Sequence, residues 1–224
     1  MNDSPSQTFQ RIVFCDFDGT ITEKESLDQV FRKFAPETWK PQKEDLVAGK
    51  ITVREAVART INSIESSDYA AILDYTLSFS IRPGFESLLD FLDSQNVPVV
   101  VVSGGIRGMV ETGLGELKNR VHAIFAADVD TTGKWLRTES AYEGKTELVD
   151  KVRIMGFYEA EEKVAIGDGI TDFNMASAAD LVFARSGLAR FLDQNNIPYQ
   201  FWTDFFDIRD RLQTHFSTST LHQK

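Results

Sequence analysis

Two hydrophobic periods alternate along the chain. Ile12-Val13-Phe14-Cys15 is a short unbroken apolar run, the pattern of a strand buried on both faces of a parallel sheet. It predicts a strand over residues 11–16, after a polar lead-in of nine residues. From Glu23 to about Ile81 only helical spacing is present. Leu27, Val30, Phe31 and Phe34 recur at i, i+3, i+4 and i+7, and Val53, Val57, Ile61 and Ile64 form a second stripe. Pro36, Pro41 and Gly49 punctuate this segment, and nothing in it reads as a strand.

Arg82-Pro83-Gly84 marks a return to the first pattern. Phe85, Leu88, Leu89 and Leu92 share a helical face, and Pro98 opens the fully apolar run Val99-Val100-Val101-Val102. The pattern then predicts a helix from about Arg107, a short strand near His122–Phe125, a Gly-containing hairpin around Thr131–Trp135 and a helix from Lys145 through Met155. Strands follow at Lys163–Ile166 and Leu181–Ala184, and two shorter αβ units finish the chain. The alternation predicts an α/β fold: a doubly wound parallel sheet core over residues 10–22 and 82–224. A small helical cap, residues 23–81, is inserted after the first strand.

Ligands of such sheets bind beyond the carboxyl ends of the strands, near the switch in strand order. Three predicted strands end in suitable chemistry. The first ends in Asp16-Phe17-Asp18-Gly19-Thr20, two carboxylates one residue apart and then a glycine. A calcium loop of the EF-hand type is excluded, because Ile21 and Leu27 stand where it needs Gly and Glu. The second ends in Ser103-Gly104-Gly105, whose small residues let backbone N–H groups approach a phosphate. A later strand ends in Gly167-Asp168-Gly169-Ile170-Thr171-Asp172, with the two carboxylates one helical turn apart. Gly144-Lys145 opens a helix between them. Each motif alone has an ordinary turn or surface reading. In this order and spacing they point together to metal-assisted phosphoryl chemistry.

The set resembles the haloacid dehalogenase-like phosphohydrolases over Ile12 to about Arg185. The resemblance implies that fold, a required Mg²⁺ and a small phosphorylated metabolite as substrate. It further implies that Asp16 is the nucleophile and Asp18 the acid/base. Ser103 and Gly104 bind the phosphoryl group, and Lys145 holds nucleophile and phosphate together. Asp16, Asp18 and Asp168 are expected at the metal, with Asp172 a ligand or the support of one. An Asp rather than a Thr at position 18 favours hydrolysis over a stable phospho-enzyme. The helical insert is similar to that of the phosphoserine phosphatase-like branch, which puts Glu25 at the substrate. Arg54, Arg59 and Trp39 are further cap candidates. The branch's substrate-binding arginine aligns with Thr60, and Thr171 stands where Asn is common. Phe34–Trp39, Phe183-Ala184-Arg185 and Phe205–Arg209 resemble phosphatases of methionine salvage instead. Both substrate classes stay open, as does a non-catalytic binding relative.

A formal charge of -10 with no offsetting basic cluster argues against nucleic acid or an anionic membrane as partner. It also means that a phosphate site needs a local cation. One cysteine, Cys15, allows no intrachain disulfide, which fits a reducing compartment. With no apolar run of membrane-spanning length and no basic n-region at the start, a cytoplasmic location is expected.

Overall fold

The computed structural model describes residues 8–221. The first seven positions of the predicted polar lead-in lie outside the described residues. Strands β1 (Thr8–Cys15), β2 (Val99–Ile106), β3 (Ala123–Asp130), β4 (Arg137–Glu139), β5 (Glu159–Gly167), β6 (Leu181–Ala184) and β7 (Gln200–Phe201) form one sheet. Its order is β4-β3-β2-β1-β5-β6-β7, parallel except for the β3–β4 hairpin. The chain starts at the centre and builds outward on one side, then on the other. The switch in strand order therefore falls at β1, between β2 and β5.

The apolar runs make the central strands because both sheet faces are covered. Val13 and Cys15 join Val99, Val101, Val164 and Ile166 in one core layer. Ile12 and Phe14 join Val100, Val102 and Ala165 in the other. This is the period-2 alternation of a strand with two buried faces. Helices α5 (Phe85–Ser94) and α10 (Phe205–Leu221) close the first layer, with the Phe85 and Phe205 rings 4.9 Å apart.

Between β1 and α5 the chain forms four helices, α1 (Ser26–Phe34), α2 (Pro36–Val47), α3 (Val53–Ile61) and α4 (Tyr69–Thr76). Their two stems meet in an antiparallel bridge between Thr22 and Ile81. A capping box starts α3: Thr52 accepts from the Glu55 N–H, and the Glu55 carboxylate accepts from the Thr52 N–H. Both sequence stripes face inward. Val30, Phe31, Val57, Ile61 and Ile64 share an apolar cluster with Ile106, Met109, Ala127 and Leu136 of the sheet side. Backbone bonds add to this contact: Ser66 N–H to Lys134 O and Leu136 N–H to Ile64 O, each 2.9 Å, and Arg54 N–H to Thr146 O at 2.8 Å.

The remaining helices are α6 (Arg107–Leu114), α7 (Lys151–Met155), α8 (Phe173–Ser177) and α9 (Ser186–Gln194). Several boundaries differ from expectation: β2 runs on to Ile106 and β3 to Asp130, and β5 starts earlier, at Glu159. β1 begins at Thr8, because Thr8 and Phe9 pair with Glu159 and Ala160 of β5. The helix expected from Lys145 begins only at Lys151, where the Asp150 side chain accepts from the Arg153 N–H at 3.0 Å. Residues 145–149 form bends that bury Leu148 and Val149.

Candidate active site

The site is built on the carboxyl ends of β1, β2 and β5. Asp16 continues the β1–β5 ladder by donating its N–H to Ile166 O at 3.0 Å, and it is 5 % exposed. The backbone then turns at Gly19, whose φ of +77° only glycine adopts readily. A Cβ there would also lie 2.8 Å from an Asp168 carboxylate oxygen. Gly19 thus lets the β1 turn and the β5 turn pack against each other.

Asp168 follows β5 directly and accepts from Thr20 Oγ1 at 3.2 Å. Asp172 folds back under it. Its Oδ2 accepts the N–H groups of Asp168 and Gly169, both at 3.0 Å. A Cβ at Gly167 would stand 2.6 Å from that oxygen, so glycine is needed for the approach. Oxygens of Asp16, Asp168 and Asp172 lie within 4.8 Å of one another, all buried. Three hard oxygen donors around one point suit a small divalent cation such as Mg²⁺.

The cation among them is Lys151, not Lys145. Lys151 is 2 % exposed and donates from Nζ to Asp16 Oδ1 and Asp172 Oδ1, each at 2.6 Å. Lys145 is exposed on the loop before α7, beside Glu147, Asp150 and Asn174. The helix start explains the correction, since capping by Asp150 turns the first residue of α7 inward. The sequence holds one signal. Lys151 stands three and four residues before the buried pair Ile154 and Met155, a charged residue on an apolar stripe.

Charge balance in the cluster is unfavourable. Burial alone would push the Lys151 ammonium down, yet Asp16 and Asp172 outweigh it and hold it above its ordinary value. Burial and the neighbouring Asp172 push Asp16 well up. Burial, then Asp172, lifts Asp168 to about 6. One lysine does not neutralise three carboxylates.

Asp18 stands apart from that group. Its Oδ1 accepts from Ser26 Oγ and from the Leu27 N–H at 3.1 Å, the first residues of α1. Its Oδ2 faces Ser103 Oγ at 3.4 Å. Its carboxylate is not among the side-chain oxygens gathered at Asp16, Asp168 and Asp172, because the turn at Phe17–Gly19 aims the side chain toward α1. Burial raises its pKa against these hydrogen bonds. Ser103 is fully buried and accepts from the Gly105 N–H at 3.0 Å. A Cβ at Gly104 would meet nothing within 4 Å, so this strand end is open where a phosphoryl group would approach.

Above this floor lies a cleft of about 160 Å³. Asp16, Asp18, Gly104 and Asp168 reach it from below, and Glu25, Asp28 and the apolar Leu27, Phe31, Trp39, Val53 and Val57 from the insert. Among the described residues, no arginine or lysine lines it. Glu25 sits at its mouth, pushed up to about 8 by burial and by Asp168 and Asp18. Arg59, expected at the substrate, is exposed and bonded to Glu55 at 3.3 Å and Gln42 at 3.4 Å. Arg54 is also outside the lining and donates to Gly144 O at 3.3 Å. The motifs point to neither Thr20, which steadies Asp168, nor Arg82, whose buried guanidinium donates to the carbonyls of Gly19, Thr20 and Thr22.

The chain resembles known proteins in sequence and in fold. The family model for haloacid dehalogenase-like hydrolases matches residues 13–177. A Microcystis aeruginosa 2-hydroxy-3-keto-5-methylthiopentenyl-1-phosphate phosphatase is 44% identical over 204 residues, covering 90% of this chain and 97% of the relative. The Geobacillus thermodenitrificans protein of the same name is 33% identical, covering 91% and 96%. Among solved structures, a phospho-aspartyl intermediate analogue of phosphoserine phosphatase superposes with a TM-score of 0.66 at 19% identity, over 93% of this chain and 99% of that one. Phosphoserine phosphatase from T. onnurineus gives 0.70 at 17% identity, over 90% and 94%. Those two structural likenesses carry the fold. The family match and the two full-length relatives carry more: the chain belongs to the haloacid dehalogenase-like hydrolases, as one of the family's phosphatases.

Proposed function

We propose that the protein hydrolyses 2-hydroxy-3-keto-5-methylthiopentenyl-1-phosphate, the substrate named for its full-length relatives, with the helical segment 23–81 acting as a cap over a phosphatase floor. The observation that carries the choice is the lining of the cleft. Phosphoserine brings a carboxylate that needs a cation, and among the described residues no arginine or lysine lines the cleft; Glu25 matches only the ammonium of that substrate. A neutral keto-thioether has no such requirement.

In this reading Asp16 attacks phosphorus through one carboxylate oxygen while Lys151 holds the other. A P–O bond forms to Asp16 and the ester P–O bond breaks. Asp18 gives its proton to the departing oxygen; its raised pKa keeps that proton available. Asp18 then takes a proton from water, which attacks the aspartyl-phosphate and frees inorganic phosphate and Asp16. Ser103 and the open backbone at Gly104 are assigned to the phosphoryl oxygens. Asp16 and Asp168 would hold Mg²⁺, with Asp172 orienting Lys151 and the β5 turn. When bound, the ion supplies the positive charge that offsets repulsion between carboxylate and phosphate.

Phosphate release with Mg²⁺ tests the reading. The methylthiopentenyl ester is expected to give a kcat/KM at least about 10³-fold above that of phosphoserine, because an unpaired buried carboxylate costs several kcal/mol. Equal turnover of phosphoserine would overturn it.

A further inference from the structure

We infer that the apolar wall of the insert is a subsite for the tail of the leaving group, and that Asp28 is the positioning residue that builds it. The class of ligand is a neutral, unbranched alkyl or thioether chain. This deepens the phosphatase reading and rests on it for the polar end of the ligand.

The wall is made of Leu27 and Phe31 on α1, Trp39 on α2, and Val53 and Val57 on α3. These side chains belong to an apolar cluster shared with the sheet side, yet they also face a cleft floored by carboxylates. Phe31 and Trp39 are tilted against each other with ring centroids 4.9 Å apart. Aromatic edges of this kind suit a thioether sulfur as well as a methylene chain.

Trp39 is a partition. It lines the cleft on one side and, on the other, an outer groove of about 750 Å³ with Arg32, Pro36, Lys40 and Lys43. Asp28 fixes it there: Oδ1 accepts from the indole Nε1 at 2.9 Å and from Lys43 Nζ at 2.6 Å, while Oδ2 accepts from Arg32 Nε at 2.6 Å. The two cations beside the wall are thus committed to Asp28 and belong to the outer groove. What the wall then presents to the cleft is hydrocarbon and aromatic surface beside the carboxylates of Glu25 and Asp28, which rejects an anionic tail and rewards an apolar one.

The test uses methyl-, propyl- and pentylphosphonate as ligands that are not turned over, with Mg²⁺ present and Kd read by calorimetry. In the wild type Kd is expected to fall about fourfold per methylene, the ratio set by burying one CH₂. Trp39→Ala and Asp28→Ala should each flatten that slope below about twofold per methylene and leave the methylphosphonate Kd unchanged. Asp28→Asn keeps an acceptor for the indole and should restore the slope. Should Trp39→Ala fail to fold, the Asp28 pair decides alone. A wild-type Kd independent of chain length, or a slope that survives both alanine variants, overturns the subsite. A wild type that shows the slope but releases no phosphate from phenyl phosphate leaves the subsite standing and overturns the phosphatase reading instead.

Discussion

The floor and the roof of the cleft are built by opposite rules. On the floor the charged groups are held by short polar contacts: Lys151 by two carboxylates, Asp172 by two backbone N–H groups and the lysine, and Asp18 by Ser26 and Leu27. It sits on turns fixed by glycines with no room for a side chain. The roof is made mostly of side chains that also serve as helix-packing core, with Asp28 holding Trp39 in place and Glu25 beside them. Chemistry needs fixed charge in a dry place, whereas recognition of a neutral tail needs only shape and exclusion of water. The floor is suited to any phosphomonoester. In the reading proposed above, the roof narrows the choice.

The largest effect should come from the floor. Asp16→Asn is expected to abolish turnover while the protein stays folded, because the amide keeps an acceptor for Lys151 and removes the nucleophile. Asp18→Asn should lower kcat by about 10²–10⁴-fold, the usual scale of a lost acid/base. Both are read by phosphate release on phenyl phosphate, a substrate with little to gain from the roof. Substantial activity of Asp16→Asn would remove Asp16 from the role.

Next comes the choice between two lysines. Lys151→Met should cost at least about 10²-fold in kcat and lower Tm, since it leaves two buried carboxylates without their cation. Lys145→Ala should stay within about threefold, as surface changes away from such networks do. The reverse ranking would mean that the loop before α7 turns inward during the reaction.

These two lysines also mark where the sequence stops being informative. The strands, their order along the chain and the carboxylates at their ends are legible because an apolar run that breaks abruptly into Asp and Gly forms little else than a buried strand entering a tight turn. Choosing between Lys145 and Lys151 requires knowing where α7 begins. That depends on the Asp150 cap and on burial of Leu148 and Val149, a tertiary outcome. The roof is less legible still. Leu27, Phe31, Val53 and Val57 have the same spacing whether a helix face meets another helix or a substrate. The tail is readable: Phe205, Ile208 and Leu212 share a helical face, and all are fully buried. The direction of the Asp18 side chain is not, because it is set by the turn at Gly19 rather than by alternation along a strand.

A smaller effect separates charge from packing on the floor. The Asp168 carboxyl is raised from 3.8 to about 6, by burial first and Asp172 second. Between these values the folded, metal-free protein binds a proton that the unfolded chain releases. Stability therefore falls as pH rises through that window, by about 3 kcal/mol at most. Asp168→Asn removes this penalty and keeps an acceptor for Thr20. In chelator, its Tm should match the wild type near pH 4 and exceed it by roughly 5–10 °C at pH 8. Mg²⁺ should raise the wild-type Tm at pH 8 and leave that of the variant unchanged. A variant no more stable than the wild type at pH 8 would mean that Lys151 already balances the cluster.

The smallest effect belongs to the outer face of the roof. Arg59 pairs with Glu55 four residues earlier, and both side chains are well exposed. Such an exposed pair contributes little to stability. Helix geometry gives the reason it cannot serve the cleft. At ~100° per residue, Arg59 lies ~200° around α3 from Val57, which lines the cleft. Arg59→Ala should leave kcat/KM within about twofold on both the methylthiopentenyl ester and phenyl phosphate, and Tm within about 1–2 °C. Val57→Asn, on the inner face of the same helix, should spare phenyl phosphate and weaken the longer ester selectively, read as a rise in KM with kcat less affected. If Arg59→Ala also lost the ester selectively, α3 would have to rotate when substrate binds, and the division between inner and outer face drawn from the unliganded cleft would fail.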